Sequence, residues 1–143
     1  MIISTAEEAK SYFGKWKGMN IKKIANLGSC NFYEHPLFIY TDQFVYSIFF
    51  DYESISIQSY KTEEFESNIS NGIFRRTQNG LVFDYINPNY KMIESPVSDI
   101  QITSYMSNGT AKPRQIKLVL KKQKTLYIEY SNIIPETMDA WIE

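Results

Sequence analysis

The sequence predicts an α+β domain, a predominantly antiparallel β meander in one curved sheet with short N- and C-terminal helices. Three observations carry this expectation. Aromatic residues, 11 Tyr, 9 Phe and 2 Trp, make up 15% of the chain, and such side chains favour strands and half-covered faces. Short apolar runs recur between turn signals, several of them with a period of two. No long helical segment separates the runs, so parallel strands joined by crossover helices are not expected. At 143 residues, with no internal repeat, low-complexity run or linker, the chain reads as one domain, residues 1–143.

Taken in order, residues 5–13 predict a short helix. Ser4 or Thr5 can cap it, with Glu7 or Glu8 completing a capping box, and Ala6, Ala9 and Phe13 share one face. Gly14 is the stop signal. A strand is expected around Asn20–Ala25. Leu37–Tyr40 and Phe44–Phe50 flank Thr41-Asp42-Gln43 as a hairpin. Both faces of the second run carry apolar groups, which suggests a central strand. Asp51 to Ser54 form a turn, Ile55–Tyr60 returns, and a short helix is expected after Thr62. Ile73–Thr77 and Leu81–Ile86 flank Gln78-Asn79-Gly80, and Asn-Gly is a strong hairpin signal.

Farther along, a turn at residues 87–89 leads into Tyr90–Ile93. Asp99–Met106 places Ile100, Ile102 and Met106 on one face, and Asn108-Gly109-Thr110 turns the chain. Ile116, Leu118 and Leu120 alternate with polar residues, and Leu126, Ile128 and Tyr130 return on the next strand. Ile134, Met138, Trp141 and Ile142 fall at helical spacing. They predict a closing amphipathic helix, with Pro135 in its first turn and Trp141 buried on the sheet beside Met138 and Ile142.

Several chemistries find no support. One His and one Cys argue against a structural zinc site, and no EF-hand-like loop is present, although a carboxylate-rich site for a hard ion stays open. Neither Gly-rich phosphate motif occurs, nor a GxSxG elbow. No cofactor and no metal is therefore expected. Cys30 and His35 have odd spacing, which on a straight strand points them to opposite faces. Asp84 follows Phe83 within a strand and would need a partner such as Arg75 or Arg76. A lone cysteine and an N-terminus with no basic or apolar leader pattern suggest a cytoplasmic chain. The apolar stretch from Leu37 to Phe50 is broken by Asp42 and Gln43 and is too short to span a bilayer, so no membrane is expected.

Fifteen basic and sixteen acidic residues nearly cancel, but their distribution is uneven. From Glu34 to Glu66 run Glu34, Asp42, Asp51, Glu53, Glu63, Glu64 and Glu66, against the single base Lys61. From Lys112 to Lys124 run Lys112, Arg114, Lys117, Lys121, Lys122 and Lys124 with no acid. Both blocks also fit plain solvated faces. The opening Tyr12-Phe13-Gly14-Lys15-Trp16, placed after a short helix and before β hairpins, resembles the small immunity proteins that bacteria use to neutralise polymorphic or contact-dependent toxins.

That resemblance implies a non-enzymatic protein-binding domain, with a basic toxin surface as its partner. Asp51, Tyr52, Glu53, Glu63 and Glu64 are then the candidate interface, Tyr52 as anchor and the acids as steering charges. Two alternatives stay open. One is nucleic-acid binding through the basic hairpin 112–124, with Tyr105 and Tyr127 for stacking. It is disfavoured by the near-zero net charge. The other is a small-ligand or enzymatic site of Tyr and Asp side chains inside the curved sheet.

Overall fold

The computed structural model describes residues 1–25, 36–50, 53–69, 73–77, 80–84, 90–122, 124–131 and 137–143. Helix α1 (Ala6–Gly14) starts at the Thr5 cap, whose hydroxyl accepts from the Glu8 amide at 3.1 Å. Its apolar stripe, Ala6, Ala9 and Phe13, is buried as the spacing expects. Ahead of it lies a two-residue strand, β1 (Ile2–Ile3), too short for any periodicity to announce.

The strands β2 (Asn20–Ala25), β3 (Leu37–Thr41), β4 (Phe44–Phe50) and β5 (Ile55–Lys61) form an antiparallel meander. Helix α2 (Thr62–Ile69) follows, as expected after Thr62. A small hairpin of β6 (Ile73–Thr77) and β7 (Gly80–Asp84) stands apart as its own two-stranded sheet, so it does not join the main sheet as the meander reading required. Thr77 pairs with Gly80 in that hairpin. Ile73 opposes Asp84, whereas Arg75 and Arg76 oppose Val82 and Leu81.

The remaining strands are β8 (Tyr90–Ser107), β9 (Thr110–Leu120), β10 (Thr125–Ser131) and β11 (Thr137–Ile142). The nine-stranded sheet runs β1-β5-β4-β3-β2-β8-β9-β10-β11, antiparallel throughout. Strand β8 joins its two halves. Residues 90–96 pair with β2, and residues 97–107 pair with β9. Pro96 sits at this hand-over, a place where a residue without an amide proton is tolerated. Register shifts accompany the bend. One lies where β8 meets β2, beside Glu94 with its positive φ of 47°, and another lies between Val97 and Asp99. Such bulges bend and twist a strand, and they curve the sheet here. A third shift lies between Thr103 and Ser104, where β9 carries the extra residue. Past it, toward the β8–β9 turn, Met106 is 68% exposed, although its spacing from Ile100 and Ile102 suggested a shared face.

The inside of the curve is filled. Ile21, Ile24, Ile39, Ile48 and Ile57 from one half meet Ile116, Leu118, Ile128 and Met138 from the other, with Ala9 and Phe13 of α1 and Trp16 between them. Trp16 packs on Tyr46 at 4.7 Å and on Phe13 at 5.0 Å. The aromatic motif at residues 12–16, whose first three residues end α1, is thus packed on the core. The outer face of β3 and β4 is covered as well. Phe65 of α2 sits on Phe38 and Tyr40 at 4.9 and 5.8 Å, in a second buried cluster with Ala25 and Val45. All five residues of β3 are buried for this reason. Asn108 and Gly109, with φ of 49° and 79°, form the tight turn between β8 and β9, the double positive φ that such two-residue hairpins require.

The C-terminal segment corrects the sequence reading: Thr137–Ile142 is a strand, not a helix. Its residues pair rung by rung with β10, from Ser131↔Thr137 to Leu126↔Ile142. Met138 and Ala140 alternate into the core, while Trp141 points to the outer face and is only half-buried. A six-residue segment can satisfy either period. Here the open edge of β10 supplies a full ladder of backbone partners, and tertiary pairing overrides the helical spacing.

Candidate functional site

The acidic residues named from sequence do not form one patch. Asp51 and Tyr52 lie outside the described residues, as do Glu34, Cys30 and His35. Glu53 is exposed after the end of β4, at the Phe50↔Ile55 end of the β4–β5 ladder. Glu63 and Glu64 are exposed in the first turn of α2, just past the opposite, Phe44↔Lys61 end. Seven rungs separate these ends, about 20 Å. Acids in a first helical turn also favour the helix dipole, which gives Glu63 and Glu64 a structural role. Asp42 lies near them, its carboxylate 3.9 Å from Lys22, and Glu66 meets Lys23 at 3.7 Å. Asp42, Gln43, Phe44, Lys61, Thr62 and Glu63 line a shallow depression of about 320 Å³ there.

Lys23 is held by more than that ion pair. Its ammonium sits 4.6 Å from the Tyr40 ring and 4.4 Å from the Tyr90 ring, and the two hydroxyls approach to 3.4 Å. Burial, followed by the Tyr90 contact, pushes the Tyr40 hydroxyl well above its ordinary pKa. This cage is filled by the chain's own lysine and fastens β2 to β3, β8 and α2.

The basic hairpin is likewise dispersed. Arg114 is the extra residue where β9 takes two steps for one of β8, between Ser104↔Pro113 and Thr103↔Gln115. Lys121, Lys122 and Lys124 lie at the other end of β9, about 20 Å away. Lys117 faces outward between them. Tyr105, opposite Lys112, is four rungs along the ladder from the row of Lys117 and Tyr127, about 14 Å, and two strands across from Tyr127, so the two proposed stacking residues do not share a platform.

A different surface draws functional groups together, and sequence reasoning missed it. On β9, β10 and β11 the core-side rows are buried, and the alternate residues face out. One outward row reads Gln101, Lys117, Tyr127, Trp141. The Tyr127 and Trp141 rings stack at 5.0 Å and 7°, and the Lys117 ammonium lies 5.6 Å from the Tyr127 centroid. The next row reads Thr103, Gln115, Glu129, Asp139. Glu129 stands directly opposite Asp139, a like-charge pair that costs stability. The Gln115 amide relieves Glu129 by donating to it at 2.8 Å. Beyond Ile142, Glu143 continues the ladder through two backbone bonds with Thr125, of 2.8 and 3.1 Å. Asp139 and Glu143, both exposed, thus flank Trp141 on its own strand, two residues to either side. The available signal was the alternation Met138-Asp139-Ala140-Trp141, which a helical reading scatters around a cylinder.

No family model, curated protein or solved structure matches the chain. No helix among the described residues is long and apolar enough to cross a membrane.

Proposed function

We propose that the protein is a non-enzymatic protein-binding domain whose partner presents a basic surface, and that it acts in the cytoplasm as an immunity protein neutralising a toxin. The observation that supports the binding reading best is the Tyr127–Trp141 stack on the outer face of β10 and β11, beside Glu129, Asp139 and Glu143. The indole is partly exposed on the outer face of an edge strand, and Trp and Tyr are the side chains that most often anchor interfaces. Three carboxylates around it favour a cationic partner and repel phosphate. That weighs against the nucleic-acid alternative, despite the ring pair and Lys117. Glu63 and Glu64 at the start of α2, with Asp42 nearby in the β3–β4 turn, would then act from a distance, raising the association rate of a basic partner.

The test is affinity capture from cells that make the protein, using the parent and a Glu129→Lys, Asp139→Lys variant side by side after nuclease treatment. The reading expects a protein held by the parent and lost by the variant. Material that disappears with nuclease, or a protein held equally by both, contradicts it.

A further inference from the structure

We propose that the outer face of the Trp141 indole is a slot for an arginine side chain of the protein partner. This inference rests on the protein-binding reading and names the group that surface takes.

The argument starts from the direction of the ring stack. Neighbouring strands are about 4.8 Å apart, and the Tyr127 and Trp141 centroids are 5.0 Å apart with nearly parallel planes. The rings therefore stack along the inter-strand direction. In that direction the order is Lys117 ammonium, Tyr127 ring, Trp141 ring. Strand β11 is the last in the sheet, so the far face of the indole looks past the sheet edge. The inner end of this stack already takes a cation from its own chain. Among the described residues, no second ring or cation is recorded against the outer end.

The groups beside that open face select the ligand. Asp139 and Glu143 stand on the same side of β11, each about 7 Å along the strand from Trp141. A guanidinium is planar, weakly hydrated and able to stack on an indole while its edge donates paired hydrogen bonds to a carboxylate. An ammonium meets the charge requirement but neither stacks nor forks. A nucleobase stacks too, but it brings phosphates toward Asp139, Glu143 and Glu129.

The experiment titrates the full chain with acetyl-triarginine amide, acetyl-trilysine amide and acetyl-tricitrulline amide. It follows the Trp141 indole N–H by NMR, assigned from its loss in Trp141→Phe. The triarginine peptide should give a saturable shift of that resonance and of the Asp139–Ile142 amides. Binding should be about tenfold weaker for trilysine and for an Asp139→Asn, Glu143→Gln variant, and absent for tricitrulline. Both substitutions lie on the outer face, and an unchanged amide spectrum elsewhere certifies the fold. No saturable shift up to about 10 mM peptide, equal response to lysine, or indifference to the variant overturns the slot. A negative result here with positive capture above would remove the arginine slot alone and leave the protein-binding reading standing.

Discussion

Ala140 and Trp141 exchange their expected importance when the C-terminal segment is a strand. In a helix, Trp141 lies on the apolar stripe and Ala140 does not. In the structure Ala140 is buried, 2% exposed, among the core residues of β10 and β9, while Trp141 faces out. Ala140→Asp places a carboxylate in that core and should cost about 4 kcal/mol or more. Trp141→Ala should lose the ring stack, about 0.5–1.5 kcal/mol, and part of a half-buried surface, for a total of about 1–2 kcal/mol. With an m-value of about 2 kcal/mol/M in urea for a chain of this size, the midpoints should fall by about 2 M and by about 0.5–1 M. Urea titration monitored by circular dichroism measures both, and the buried Trp16 remains as a fluorescent reporter in each variant. A Trp141→Ala loss of about 3–5 kcal/mol, as for a fully buried indole, together with an unshifted Ala140→Asp midpoint, would refute the strand assignment.

Phe65→Ala should cost about 3–5 kcal/mol in the same assay, because the buried Phe65 carries α2 onto Phe38 and Tyr40. A loss below about 1 kcal/mol would mean that α2 is not seated there. Burial raises the pKa of Tyr12, Tyr40, Tyr46 and Tyr60, so the folded state holds protons that the unfolded chain releases near pH 10. That contribution to stability is complete below about pH 10 and is lost as pH rises toward the folded values. Ultraviolet titration should therefore show a set of late-ionising tyrosines, and unfolding midpoints should fall above about pH 10; tyrosines that all ionise together near that value would count against the packing. Glu63→Lys with Glu64→Lys should slow association with the captured partner by several-fold at low salt and barely alter dissociation. A change confined to dissociation would place those residues in the contact itself.

The aliphatic alternation of Ile116, Leu118 and Leu120 and of Leu126, Ile128 and Tyr130 was legible because one face of each strand meets the core and the other meets water. Helix α1 was legible from its cap and stripe, and α2 from its polar start after Thr62. What hid were features set by partners remote in sequence. Strand β8 runs unbroken through Pro96 because two different strands share it, and β11 exists because β10 offers an edge. The acidic run looked continuous along the chain, yet the β4–β5 hairpin carries Glu53 to one end and Glu63 to the other. The outer-face site followed the same rule. Lys117, Tyr127, Glu129, Trp141 and Glu143 come from three strands, and only register brings them together.

The most direct test of the binding account is site-specific photo-crosslinking in cells that make the protein, with a benzophenone amino acid at position 139 and, separately, at position 63. Asp139 and Glu63 are both exposed, one beside Trp141 and one at the start of α2. The account predicts a discrete protein adduct from position 139 that resists nuclease and is lost when Trp141→Ala is added, with little adduct from position 63. A nucleic-acid adduct at position 139, or a protein adduct from position 63 alone, would contradict it.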